Sequence, residues 1–488
     1  MSTPIRQLLE VITKSVEALE TACQSSGVTL PDLNQPLAGP GDPSERFRAI
    51  PQAAEAARVI SAAALQLEAI LTPPQVSLYH IVSGHFKSAA LQVCHESNVT
   101  EILREGGAGG TDVKIIAEKN GQDPEKLARF LRYLATHHIY REVKPNVFAN
   151  NRISSMLDTG KPSKVIIASP EEKHTSPGNP LAALVSHHLD EAFKASAYAW
   201  DTVKDAAQAR SGDPTASPFA KAMGRPETLW DYYASKDEKI SKEAAFKGRR
   251  FDIAMQGISS LQPPDAILNA YEWKTLPADS LVVDVGGGVG TSCLGLARAF
   301  PSFKLVVQDL EGVIDQGKTV WKKEMPNAVP SGQVKLEVHD FFKPQPQTSA
   351  TMFLLKQIMH DWSDEYCVKI LTQLWEAATP TTTLLILDSI MPLACRDENS
   401  AGLDGIPGAT SDEAPAPLLA NYGGANDMVY NADFTMFLLF NSQERTLEHI
   451  KRLLKRTGWH LMAVHRQPGD STFLQSIEAK KIVANADV

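Results

Sequence analysis

Cysteine is scarce: five residues, at positions 23, 94, 293, 367 and 395, are scattered over 488. They are odd in number and show no metal-ligand spacing, which leaves no disulfide framework and no thiolate metal site and fits reduced thiols in the cytoplasm. No apolar run approaches the length needed to cross a bilayer, so no membrane partner is expected. The first twenty residues carry charges throughout their apolar periodicity, as no secretory signal peptide does, and a soluble intracellular chain is expected. Positive charge is short too. A net charge of −9 and a pI near 5.8 argue against nucleic acid as a partner, because phosphate binding needs a basic face. What remains is ordinary, 43% hydrophobic and 22% charged, and long enough for two or three domains.

The most informative stretch is LVVDVGGGVGTSCLGLARAF, residues 281–300. A short apolar run containing Asp284 leads into Gly286, Gly287, Gly288 and Gly290. A helix-period segment follows, with Leu294, Leu296, Ala297 and Phe300 on its apolar side. The pattern predicts a buried strand, a tight glycine turn and a helix, the opening unit of a parallel α/β sheet. Glycine lets the backbone close against a ligand there, and the N–H groups at the helix start favour polar or anionic groups. The dinucleotide fingerprint would need glycine at position 291, where Thr291 stands. A second apolar strand, 305–307, ends in Gln308-Asp309, placing an acid about 20 residues past the turn, where a ribose hydroxyl pair is held. The alternative is a generic α/β unit whose acids only cap loops.

The chain divides by pattern. Residues 1–75 form a helical extension, with helical spacing over 4–27 and 53–70 and a Pro/Gly/Asp-rich linker between. Residues 76–165 read as short helices, then helix, turn, helix and two strands at 140–143 and 147–149, a winged-helix pattern. Lys126, Arg129 and Arg132 could form a basic stripe, but Glu118, Asp123, Glu125 and Glu142 interleave with them. Residues 166–262 are helical and aromatic-rich. From 263 to 480, strands at 281–285, 305–307, 334–338, 351–355 and 383–387 alternate with helices near 313–325 and 364–378, and two strands at 459–466 and 471–479 close the tail. The fold class is α/β, a mostly parallel doubly wound sheet, with ligands expected at the carboxyl ends of its strands. Residues 395–427, acidic and rich in Pro, Gly and Ala, are expected to form a mobile surface insertion. The adjacent histidines at 137–138 and 187–188 lack further ligands, and no metal is assigned.

DVGGGVG followed by VVQDL resembles the cofactor site of class I S-adenosylmethionine-dependent methyltransferases. More closely it is similar to the small-molecule O-methyltransferases of plant and fungal secondary metabolism, the caffeate and flavonoid type, over roughly residues 80–480. The resemblance implies a Rossmann-like methyltransferase sheet and S-adenosylmethionine held by Asp284, Gly286, Gly288, Gly290, Asp309 and Leu310. It also implies a dimerisation role for the winged-helix segment, hence a homodimer. Asp340, in VHDFF, matches the family residue that takes the adenine amino group, with Phe341 against the ring, and Lys356 matches a lysine near the adenosyl site. A loop cap is the other role open to Asp340. The helix from Phe251 looks like the family's segment at the methionine end of the cofactor, with Met255 and Ser259 facing it. The helical region 166–262 would line the acceptor pocket, where rings such as Trp200 and Trp230 could stack on a flat substrate.

KQIMHDWSDEYC follows the fourth strand of this sheet, with Ser363 suited to cap a helix and Asp364 and Glu365 suited to its first turn. His360 therefore precedes that helix at the mouth of the sheet. The segment resembles the family's HDWSD motif, whose histidine is the general base. Imidazole titrates near 6.5 and a phenol near 10, so the histidine can take the acceptor's proton. Asp388 and Glu444 match the family's two carboxylates that orient it, although the first is usually glutamate in the plant enzymes. The expected function is methyl transfer to a phenolic or other hydroxylated aromatic small molecule. The alternatives are a methyltransferase fold repurposed for pericyclic chemistry, and a winged-helix regulator with a cofactor-sensing domain.

Overall fold

The computed structural model describes residues 3–39, 41–175, 178–260, 265–396, 403, 405–410, 412–466 and 474–482, with the side chains of 259 and 260 left aside. Two compact units emerge: Met1–Lys204 with Pro218–Leu261, and Asp205–Ser217 with Gln262–Val488. The aromatic-rich helical region expected between two domains thus belongs mostly to the first.

In the first unit, α1 (Pro4–Ser25) begins where Thr3 accepts the Arg6 N–H and Pro4 presets the first turn, and it packs along α2 (Pro51–Leu71). Next come α3 (Pro74–Val82), α4 (Gly84–Glu96), α5 (Val99–Gly106), α6 (Val113–Asn120) and α7 (Pro124–Thr136). Their apolar faces close on Ile102, Ile116, Leu127, Leu131, Tyr140 and Phe148. A three-stranded antiparallel sheet orders β1 (Thr111–Asp112), β3 (Val147–Ala149) and β2 (Arg141–Lys144). Two of these strands were expected. Residues 111–112 are too few to show a periodicity. Arg132 of the suspected basic stripe is tied bidentately to Glu142, at 2.9 and 3.1 Å. Farther on, α8 (Pro180–His187) packs against α9 (Ser241–Ser260).

The second unit is a seven-stranded sheet in the order β6 (Val334–Val338), β5 (Lys304–Asp309), β4 (Leu281–Val285), β7 (Met352–Lys356), β8 (Thr383–Asp388), β10 (Gln475–Lys481) and β9 (Trp459–His465). The first five are parallel, and β10 runs antiparallel to both of its neighbours. Helices α10 (Thr291–Ala299), α11 (Glu311–Glu324), α12 (Asp364–Ala377), α13 (Met428–Phe440) and α14 (Leu447–Arg456) complete it. One core packs Val283, Val285, Phe353, Leu355 and Ile386 against Leu371 and Leu453. A second, on the other face, packs Val282, Leu305, Val307, Leu354 and Leu387 with Trp321. Both faces are covered, which is why these strands read as continuous apolar runs. Strand order reverses at β4, with β5 on one side and β7 on the other, so the crevice for a ligand opens at its carboxyl end.

Several described residues of the 395–427 segment pack on the second unit, while others, such as Leu419, are exposed. Ala409, Ala414, Leu418, Ala420 and Tyr422 are buried, and Leu403 and Ile406 lie against the sheet core. The Val464 N–H of edge strand β9 donates to Pro407 at 2.8 Å, and Arg466 donates to the Gly408 and Ala409 carbonyls at 2.9 and 3.0 Å. The apolar residues that dock the segment are few and small. They suffice here because an open strand edge offers them backbone hydrogen bonds.

Candidate active site

The glycine turn leaves β4 at Val285. Gly288 has φ +60 with open space where a Cβ would stand, as a cradle for a ligand requires, whereas Gly290, at φ +87, would place a Cβ 2.6 Å from the Trp321 Nε1. The Trp321 indole donates to the Val289 carbonyl at 3.0 Å and fixes α11 against the turn. Asp284 lies beneath, 1% exposed, and accepts from the Cys293 thiol at 3.5 Å. Burial pushes its carboxyl up to about 6, with the thiol and Lys356 pulling the other way. It therefore buttresses the turn from the core side.

Asp309 ends β5 with one oxygen accepting the Gly288 N–H and the other its neighbour Leu310's N–H, both at 2.8 Å. Burial raises its pKa against those two bonds. A carboxylate has about four acceptor sites, so hydroxyls of a ligand can still be taken. Leu310 is 60% exposed at the start of α11. Asp340 follows β6 and accepts the Phe342 N–H at 2.9 Å, the loop-cap role, while Phe341 packs beside Gly286 and edge-on to Phe342. Lys356, at the end of β7, donates to Gln357 at 3.1 Å, and burial lowers its pKa against the pull of Asp284 and Asp388. These groups sit at the carboxyl ends of four adjacent strands. In the first unit, Met255 packs against Ala183, Leu184 and Ala254, and the Ser259 side chain lies outside the described residues. Of the rings in that unit, Phe219 and Tyr232 are core neighbours 5.6 Å apart, while Trp200 and Trp230 are exposed.

His360 lies on a one-turn helix, Met359–Asp361, between β7 and α12. Its Nδ1 is 2.8 Å from Glu444 Oε1, and its Nε2 is 3.5 Å from Asp361 Oδ1. Ser363 stands at the cap position of α12, yet its hydroxyl makes no capping bond. Burial disfavours charging the imidazole, but Glu444, Asp361 and Asp388 outweigh it and raise the pKa to about 10. The free histidine value of 6.5 is thus far from what this setting imposes. Asp388 ends β8, 4% exposed, and neither of its oxygens has a hydrogen-bond partner among the described residues. Burial pushes its carboxyl up to about 7, with Glu444 and Asp361 adding to the rise and His360 opposing it. Of the two expected carboxylates, Glu444 bonds the imidazole and Asp388 does not.

Several supporting residues escaped the sequence. Asp361 faces Nε2, and its burial raises its pKa to about 6. Asp433 on α13 accepts the Glu444 N–H at 2.8 Å, and the Ser442 hydroxyl donates to the His360 carbonyl. Arg445, buried, donates to the Met359 and Trp362 carbonyls at 2.7 and 2.6 Å and to Asp364 at 3.0 Å. It clamps both ends of the turn that carries His360. Adjacency to the histidine was a signal for Asp361; Arg445, more than 80 residues away, offered none.

A glycine cradle at the switch point, an acid on the strand to one side, and an imidazole–carboxylate pair after the strand on the other side define a Rossmann-like methyltransferase unit. Residues 200–406 match the O-methyltransferase domain and residues 79–160 the O-methyltransferase dimerisation domain. The 4-O-methyltransferase 1 of Phanerochaete chrysosporium is 50% identical over 480 residues, covering 98% of this chain and 99% of its own. An O-methyltransferase of Armillaria gallica is 36% identical over 95% of this chain and 96% of its own. A solved structure described as a pericyclic reaction enzyme superposes with a TM-score of 0.63 over 97% of this chain and 100% of its own. At 17% identity that likeness shows the fold alone. The chain belongs to the O-methyltransferase family; it is an O-methyltransferase with S-adenosylmethionine as methyl donor. Among the described residues no helix is long and apolar enough to cross a membrane.

Proposed function

We propose that this enzyme methylates a hydroxyl of a phenolic small molecule, with His360 as general base. The observation that carries the reading is the 2.8 Å His360–Glu444 pair at the carboxyl end of the sheet that carries the glycine cradle. S-adenosylmethionine supplies an electrophilic methyl group on a sulfonium. Glu444 accepts from Nδ1–H, which leaves Nε2 with its lone pair to take the acceptor's proton, and the same carboxylate stabilises the imidazolium that forms. Asp309 would hold the ribose hydroxyls, Asp340 and Phe341 the adenine, and the Gly286–Gly288–Gly290 backbone the methionine end, with Leu310 and Lys356 alongside. Phe434 and Met428 on α13, 62% and 51% exposed, support a flat apolar acceptor, because that helix packs on the turn bearing His360. A relative named as a 4-O-methyltransferase supports a hydroxyl acceptor.

The protein acts as a cytosolic homodimer in this reading. α3 buries none of its side chains, and Leu78, Tyr79, Ile81 and Val82 are each more than 60% exposed, next to and within the matched dimerisation domain. All five cysteines are unpaired, which suits a reducing compartment. The deciding experiment incubates the wild type and His360→Ala with S-adenosylmethionine and a panel of phenols. A loss of about 10²–10⁴-fold in methyl transfer, with cofactor affinity retained, is expected. Unchanged turnover would end the role of His360. Sedimentation of Ile81→Asp, expected to shift towards monomer, tests the dimer.

A further inference from the structure

A small cavity of about 20 Å³ lies beside His360, with Asp388, Glu444 and Arg445 among its polar lining and Leu371, Ile386 and Leu453 among its apolar lining. That is enough for one water molecule and too little for more. Three buried acceptor atoms belong to its walls: both Asp388 oxygens and Glu444 Oε2, none with a hydrogen-bond partner among the described residues. Asp388 and Glu444 are both 4% exposed, so bulk solvent does not reach them. Buried carboxylate oxygens without donors are costly, and a cavity that is polar on one side and of this size is where a bound water sits.

We propose that this cavity is a binding site for a single water, which donates one hydrogen bond to Asp388 and the other to Glu444 Oε2 and so links the two carboxylates. Two acceptors facing one molecule with two donors match in number. The chain from His360 Nδ1–H through Glu444 Oε1 and Oε2 to the water and Asp388 pins the Glu444 carboxylate at its outer oxygen. Its inner oxygen then stays on the imidazole. Asp388 is too short to make that contact itself; a glutamate there would reach into the space the water takes. The ionisable groups around Asp388 are His360 and Asp361 on the turn, Glu444 and Arg445 before α14, Lys356 on β7 and Cys367 on α12.

The kinetic consequence rests on His360 acting as base; the site itself does not. A crystal structure of the wild type at a resolution that shows ordered water should reveal one density peak, at hydrogen-bond distance from both Asp388 and Glu444 Oε2. In Asp388→Glu the peak should vanish, with the longer carboxylate in its place, since a group that reproduces a water's bonds can displace it. In Asp388→Asn the water should stay, while the ascending limb of the pH–rate profile moves down by about one pH unit as a negative charge is lost near the imidazole. No peak, a direct carboxyl–carboxylate contact across the cavity, or a metal-like peak with short contacts to several oxygens would each overturn the proposal. So would an Asp388→Glu variant that keeps the water. If His360→Ala stays active while the water is seen, the base reading fails and the site stands; if His360→Ala is dead and no water is seen, the reverse holds.

Discussion

Replacing Glu444 by Gln should leave the shape of the site intact and remove the charge that sits on His360. The carboxylate touches Nδ1 at 2.8 Å and is almost wholly buried, so its charge centre lies about 4 Å from that of the imidazolium. At an effective dielectric constant near 20, a pair at that separation is worth about 4 kcal/mol. Each pH unit corresponds to about 1.4 kcal/mol, so the imidazole should fall from about 10 to roughly 7. The sign then follows. Below its pKa the wild-type histidine is protonated and cannot act as base, so activity should climb about tenfold per pH unit from 7 to 10 and level off above. In Glu444→Gln the plateau should begin near pH 7. Its height should be lower by about 10²-fold, because a weaker and less well oriented base takes the proton. The variant should therefore exceed the wild type by about fivefold at pH 7 and fall about 10²-fold below it above pH 10. Initial rates between pH 6 and 10.5, with two phenols of different acidity, separate the enzyme's limb from the acceptor's own ionisation. A nitrogen-shift titration of the His360 ring, assigned by its absence in His360→Asn, reads the same pKa directly. A limb at the same pH in both enzymes would refute the electrostatic account of this site.

Arg445→Met should lower stability by about 3–5 kcal/mol and cut turnover, because two carbonyls and Asp364 lose a buried cationic partner; denaturant unfolding checks it, and Arg445→Lys should recover only part, since an ammonium cannot span all three acceptors. Gly290→Ala should abolish tight cofactor binding and lower the melting temperature, because its Cβ would stand 2.6 Å from the Trp321 ring nitrogen in a left-handed backbone; isothermal calorimetry with S-adenosylmethionine measures the first effect. Gly408→Ala should loosen the insertion from β9, since the added carbon overlaps the Val464 carbonyl oxygen. Faster amide exchange at Val464 is the expected signal, and unchanged exchange would mean the edge is not sealed there.

Much of the second unit was legible. Strands buried on both faces write themselves as apolar runs, and β4, β6 and the helix after His360 fell where pattern placed them. Boundaries moved where pattern is weakest: the tail strand expected at 471–479 is Gln475–Lys481, and the strand before His360 extends to Lys356. The positions of Asp309 and Asp340 were legible because each falls at the end of a strand or just after one. For residues 395–427, local composition does not reveal that the edge strand β9 and Arg466 after it offer hydrogen-bond partners to Pro407, Gly408 and Ala409.

The order of strands and helices, the glycine elbow and the imidazole at a strand end were settled by the chain itself, because each depends on residues within one turn or one strand of another. The choice between the two carboxylates was not. That Glu444 meets the imidazole while Asp388 lines a small cavity, that Arg445 grips the intervening turn, and that neighbouring carboxylates raise the histidine's pKa all depend on distances between segments some 28 to 85 residues apart. Electrostatic and hydrogen-bond energies change steeply over a single ångström, and spacing along a chain holds no record of that separation.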